Sequence, residues 1–296
     1  MEINEKQTGI TVINGKNKSI KTSKRINKRK CDTESGPSKN GEKDAFDVLA
    51  RLLHTTAFEL KEEAVTLFVS KITSKLKKVL IRQNLNLKEV KKVFDDTKSL
   101  MIGGIAVAPI YLPACAKTSK KYSLSEINVG VLIDFPFGES PFKTKIASVR
   151  QCQKVGADEV VVTLPKALFA EEHKKTLKKQ LKKLSKSFEL DVGVAVEITN
   201  LAEKDIKHVL KATMQSKVDF LVFEFGQASA NEVIEKLELI SKYKGKQKIR
   251  ILANAETVES VSALMKYDID QILTPFADDI ARSLFERFNL KIKKGN

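Results

Sequence analysis

Between Asp44 and Phe288 the chain alternates short apolar runs with longer stretches whose apolar residues recur at helical spacing. Seven runs read as strands: 104–108, 129–133, 159–163, 192–196, 220–223, 249–253 and 271–274. They are almost continuously apolar, as expected for strands covered by helices on both faces, so the pattern reads as βα units around a parallel sheet. A short eighth strand near Leu52 to Thr56 would close a barrel. The span also matches the roughly 250 residues typical of a (β/α)8 architecture. An open doubly wound sheet is the alternative, but no glycine-rich phosphate loop follows the first strand.

Two stretches between these runs are dense in lysine and read as helices, Lys71 to Lys92 and Glu171 to Lys186. In the second, Leu177, Leu181 and Leu184 form one apolar stripe. Lys174, Lys175, Lys178, Lys179, Lys182, Lys183 and Lys186 fill the other faces. Such a helix reads as the outer layer of a barrel with a solvated face; the functional alternative is a docking surface for nucleic acid or an anionic membrane.

From Met1 to Lys43 the pattern disappears. The segment is polar and contains no Phe, Tyr or Trp, so it buries too little apolar surface to offset its ordering entropy and is expected to be a disordered tail before a barrel at 44–296. It carries eleven Lys or Arg against five Asp or Glu, a net of +6 out of the chain's +16, which leaves +10 for the remainder. Lys24, Arg25, Lys28, Arg29 and Lys30 make a compact cluster of the kind that serves nuclear import or nucleic-acid contact. A charge of this size favours polyanionic partners, an acidic protein or nucleic acid, though a lysine-rich composition spread over solvated helix faces would give the same number.

The remaining composition narrows the class. Hydrophobic residues make up 42% and charged residues 30%, the balance of a soluble globular protein. No apolar run approaches a membrane span and Met1 to Lys30 has no signal-peptide core, so an intracellular, cytoplasmic location is expected, with nuclear import as the addition the basic cluster would make. Cys31, Cys115 and Cys152 are scattered, and His54, His173 and His208 have no ligand partner nearby in sequence. Neither a disulfide framework, a metal site nor a cofactor is therefore expected.

The segment Ile133-Asp134-Phe135-Pro136-Phe137-Gly138, followed by Gly156-Ala157-Asp158-Glu159-Val160, resembles the deoxyribose-phosphate aldolase family, whose pattern runs F-P-x-G and then G-A-D-E-x-D. Val196-Glu197-Ile198-Thr199-Asn200-Leu201 is similar to its I-E-T-x-x-L. Val218-Asp219-Phe220 with Gly226 is similar to A-D-F-x-K-T-S-T-G. Upstream, Leu52 to Thr56 resembles the family's D-L-T-T strand, and Ala106 to Ala116 its V-x-P-x-x-x-x-x-A segment. The resemblance covers roughly Leu52 to Phe288. It implies a (β/α)8 fold and reversible aldol cleavage of 2-deoxyribose 5-phosphate. In that reaction one lysine forms a Schiff base, a second lysine lowers the pKa of the first, and an aspartate relays protons.

The residues that would carry this chemistry are replaced. The resemblance puts the Schiff-base lysine at Val222, the relay aspartate at Val161, a further lysine at Gly193 and the activating lysine at Arg250. Valine cannot form an imine, and arginine keeps the charge without the acid–base range. Ala253-Asn254 stands for the phosphate-binding Gly-Gly pair. Thr274-Pro275-Phe276-Ala277 replaces the small turn whose N–H groups would meet phosphate.

Asp134, Thr163, Glu197, Glu224, Arg250, Asn254 and Thr274 remain as a polar set expected at the strand ends, of which Asp134, Glu197 and Glu224 could form a metal or general-acid cluster. Lys117 and Lys166 lie just beyond strand ends, where a relocated nucleophile would sit. Three readings follow. One is a catalytically inactive barrel that binds or scaffolds, with Lys175, Lys179, Lys182 and Lys186 and the tail's basic cluster as docking residues. Another is an enzyme of altered chemistry on a small phosphorylated or anionic ligand. The third is a genuine aldolase with a relocated lysine.

Overall fold

Each apolar run pairs with its neighbour through parallel ladders, because the helical stretches between runs carry the chain back to the same end of the sheet. A computed structural model describes residues 62–80, 86–226, 228 and 230–292; its strands form a closed barrel in the order β1 to β8. The strands are β1 (Leu76–Leu80), β2 (Ile105–Val107), β3 (Val129–Ile133), β4 (Glu159–Thr163), β5 (Asp191–Glu197), β6 (Phe220–Glu224), β7 (Ile249–Leu252) and β8 (Gln271–Thr274). The helices are α1 (Glu62–Thr73), α2 (Leu87–Ser99), α3 (Leu112–Tyr122), α4 (Phe142–Val155), α5 (Lys174–Lys186), α6 (Glu203–Ser216), α7 (Ala230–Tyr243), α8 (Val258–Leu264) and α9 (Ala277–Arg287).

The barrel is therefore the expected fold, but its closing strand lies elsewhere than expected. Leu76–Leu80 pairs with β2 on one side and β8 on the other. Leu52 to Thr56, the anticipated site, lies outside the described residues, as do the expected tail and its cluster Lys24, Arg25, Lys28, Arg29 and Lys30. Nor is Lys71 to Lys92 one helix: α1 ends at Thr73, β1 intervenes, and α2 begins at Leu87. The strand is disguised because two of its five residues are lysines. Both lysines have partners, Lys77 inside the barrel with Glu159 and Lys78 outside it with Asp278.

Two apolar layers hold the fold. Between strands and helices runs one large cluster that includes Val131, Val162, Val194, Phe223 and Leu284. Within the barrel a smaller one joins Val79, Ala106, Leu132, Val161, Ala195, Phe220, Val222, Leu252 and Leu273. Local signals fix several boundaries. Asn86 with Glu89 makes a reciprocal cap for α2, Thr257 with Ser260 does so for α8, and Gly156 at φ 99° ends α4 in the left-handed conformation that glycine adopts most cheaply. Among the described residues no helix is long and apolar enough to cross a membrane.

Candidate functional site

Successive side chains on a strand alternate between barrel interior and helix layer, so every second residue of each strand can serve the interior. From the middle of the barrel toward the strands' amino ends, that set is filled. Val222 and Val161, where the resemblance implies the nucleophile and the relay acid, are 0% and 1% exposed and pack in the inner cluster. At Gly193 a Cβ would lie 2.1 Å from the Phe220 ring, so the space a side chain there would need is already occupied.

Arg250 lies with its guanidinium carbon 3.5 Å above the centre of that same ring. It does not reach the strand ends, as its place in the expected polar set required. Its Nη1 donates to Glu159 Oε1 at 2.7 Å and its Nε to Asp270 Oδ2 at 3.3 Å, both at the amino ends of strands. The buried Lys77 completes the arrangement. Its Nζ donates to Glu159 Oε1 at 2.5 Å and to the Asn128 side chain. Gly130 makes room, because a Cβ there would stand 2.9 Å from Lys77 Nζ and 3.0 Å from Glu159 Oε1. Burial opposes ionisation of Glu159, yet Lys77 and Arg250 together outweigh it and hold the carboxyl below its ordinary range. Burial lowers the pKa of Lys77, with the Glu159 carboxylate opposing it. Paired buried charges of this kind are costly to break from either side.

Sequence reasoning missed Lys77 and the ion pair. The available signal was an unexplained Lys-Lys inside the otherwise apolar Leu76–Leu80, together with the glutamate of the Gly156 to Val160 motif.

The carboxyl ends of the strands present a smaller polar set than expected. Glu197 and Glu224 are register neighbours on β5 and β6. Lys166 Nζ donates to Glu197 Oε2 at 2.7 Å, and Thr199 donates to its other oxygen through N–H and hydroxyl. Although burial works against ionisation of Glu197, Lys166 and Thr199 hold its pKa below the usual value. Glu224 has no such support: it is 6% exposed and its Oε2 has no hydrogen-bond partner among the described residues. Burial first, and then the Glu197 carboxylate, push its pKa up to about 7. Thr163 Oγ1 on β4 is likewise buried without a partner.

Two other members of the set are turned to structural work. Asp134, at φ 60°, accepts from Ser140 N–H and hydroxyl at 2.8 Å each and from the buried Lys145 ammonium, so it clasps the loop after β3 and does not join Glu197 and Glu224. Thr274 faces the helix layer. Its hydroxyl donates to Ala255 O at 2.9 Å and accepts from Phe276 N–H at 3.2 Å, which also ties up a donor of the β8 turn. Lys117 sits exposed on α3. Among the described residues no group of three or more His, Cys, Asp or Glu is arranged to hold a metal ion.

Asn254 lines a cavity of about 210 Å³ at the ends of β6 and β7, with Phe225, Val233, Ala253, Ser260 and Leu264 among its walls. Its surface is mostly apolar, which suits carbon better than phosphate.

The fold is a closed (β/α)8 barrel with polar residues at the carboxyl ends of β4 to β7, the end at which barrels of this class build their sites. No family model matches the chain. A curated deoxyribose-phosphate aldolase of Mycoplasmoides pirum is 24% identical over 207 residues, covering 65% of this chain and 88% of that protein. One of Aquifex aeolicus is 23% identical over 209 residues, covering 70% and 93%. The solved tetrameric deoxyribose-phosphate aldolase of Aeropyrum pernix superimposes with a TM-score of 0.65 at 15% identity, covering 82% of this chain and 98% of that one. Along most of its barrel the chain is thus similar, at low identity, to deoxyribose-phosphate aldolases.

Proposed function

We propose that this barrel does not perform the lysine-based aldol chemistry associated with its family and works as a binding module for a polyanionic partner. One observation carries the reading. The interior position expected to hold the Schiff-base lysine is Val222, fully buried in an apolar layer, and its register neighbour Arg250 is committed to Glu159 and the Phe220 ring. A substrate carbonyl at Val222 would meet carbon, with no amine to attack it and no proton donor at Val161. The basic balance of the chain, +16, supplies the attraction for a polyanion. Incubation with 2-deoxyribose 5-phosphate should release no acetaldehyde above a protein-free control, whereas protein-dependent turnover would overturn the reading.

A second reading rests on Glu224. A buried carboxyl with a pKa of about 7 has the acid–base range of a catalytic group, and Glu197 with Lys166 stands beside it. Two carboxyl groups disfavour a phosphate dianion there, so a ligand at this mouth would be a neutral polyol or an amine. Glu224→Gln would abolish any turnover found with such a compound and leave the barrel folded.

A further inference from the structure

We propose that the outer face of α5, with the groove between α5 and α6, binds the phosphodiester backbone of nucleic acid without reading its sequence. The inference deepens the reading of the barrel as a binding module, giving the partner a chemical class and a place. It starts from a charge imbalance concentrated in one element. The 13 residues of α5 hold seven lysines and no Asp or Glu, hence +7 of the chain's +16.

Elsewhere on the barrel several basic side chains are matched: Lys91 with Asp95, Lys98 with Glu126, Lys244 with Asp268, Arg282 with Asp96 and Arg287 with Glu259. On α5, by contrast, Lys175, Lys178, Lys179, Lys182, Lys183 and Lys186 are exposed and form no ion pair among the described residues. At 100° per residue all the lysines fall within one half of the helix circumference, opposite the buried Leu177, Leu181 and Leu184. Lysines three and four apart repel, so the bare helix is held in its like-charged state by core packing, and a polyanion lying along it would relieve that repulsion.

The geometry favours a phosphate backbone over an acidic peptide. The ridge runs about 18 Å, twelve steps of about 1.5 Å, with charge along its whole length. It continues into a groove of about 250 Å³ lined by Lys174, Lys204, Asp205, Lys207, His208 and Lys211. Lys207 is already paired with Glu203, and Asp205 is the groove's one carboxylate, so the groove stays basic. The solvent half of α5 carries no apolar or aromatic side chain. An acidic peptide would find no anchor for the buried centre that gives protein interfaces their affinity. Phosphates need none, because counterion release supplies the free energy, and the absence of arginine forks and stacking rings removes base readout.

The test uses the full chain, fluorescence anisotropy and a labelled single-stranded RNA of mixed sequence, titrated across a salt series. The comparison variants are Lys175→Gln, Lys179→Gln, Lys182→Gln and Lys186→Gln combined, and separately Lys24, Arg25, Lys28, Arg29 and Lys30 all changed to Ala. The α5 variant removes only exposed like charges that repel one another, so its thermal melt should be no lower than the parent's. The expected result is binding by the parent that is at least roughly tenfold weaker in the α5 variant, with the log–log salt slope lowered by about 3, near 0.7 for each phosphate that a lysine no longer neutralises. Equal affinity and slope in the parent and the α5 variant, with loss only in the tail variant, would overturn the proposal. So would poly-glutamate displacing the RNA with equal potency per charge. Acetaldehyde release by a protein that also binds RNA through α5 would sink the inert-barrel reading and leave this one standing.

Discussion

At the scale of single residues, the barrel interior is held by fixed charges. Lys77, Glu159 and Arg250 form a buried ionic set in which every member depends on the others. Lys77→Met should lower stability by roughly 3 kcal/mol, read as a shift in the urea midpoint, because it leaves Glu159 desolvated beside a single cation. Pairing the change with Glu159→Gln should cost less than the sum of the two single changes. Glu224 predicts an opposite kind of effect. Its folded pKa of about 7 lies above the ordinary carboxyl value, so the folded chain holds that proton more tightly than the unfolded chain does. The stability it confers is present at low pH and lost as the pH rises through 7. Glu224→Gln should accordingly be more stable than the parent at pH 8, by about 2 kcal/mol once access of water to the mouth is allowed for, and the gain should shrink toward pH 5 in parallel thermal melts. The sequence alone pointed to Val222, Val161, Gly193 and Arg250 through the resemblance. The Lys77–Glu159–Arg250 set was not legible, because it joins three strands far apart in sequence.

At the scale of elements, seven strands were legible because their apolar runs are long enough to need cover on both faces. Four of them, β2, β5, β6 and β7, differ by a residue at one or both ends from the apolar runs. β1 was hidden because strand burial was sought as apolar character, whereas Lys77 is buried by pairing. Asp134 and Thr274 were misjudged for a related reason. Position at a strand end does not fix direction, and these two side chains serve the β3 and β8 turns. The β5–β6 seam offers a test at this scale. Gly193 and Phe220 are register partners, and the ring fills the space of the missing side chain. Gly193→Ala should destabilise by roughly 1 to 3 kcal/mol through overpacking, and Phe220→Leu in the same chain should recover part of that loss in the denaturant midpoint.

At the scale of the whole molecule, the (β/α)8 class followed from the order of runs and their turn motifs together, although each motif is weak singly. The barrel has inner and outer apolar layers, its buried Lys77, Glu159 and Arg250 neutralise one another, and seven of its lysines stand on one outer helix. That combination holds the scaffold through packing and buried ion pairs, with valine at position 222. It also explains why the candidate mouth was only partly legible. Glu197, Glu224 and Thr163 stand where expected, but the environment that pushes the Glu224 pKa up is set by neighbours from another strand.

The most direct measurement is reductive trapping: the full chain incubated with 2-deoxyribose 5-phosphate and borohydride, followed by intact mass. An unchanged mass is the expected result, since no amine stands at Val222 to form the imine. A covalent adduct at one lysine, mapped to Lys166, Lys77 or any other position, would contradict the claim that this barrel has left Schiff-base chemistry behind.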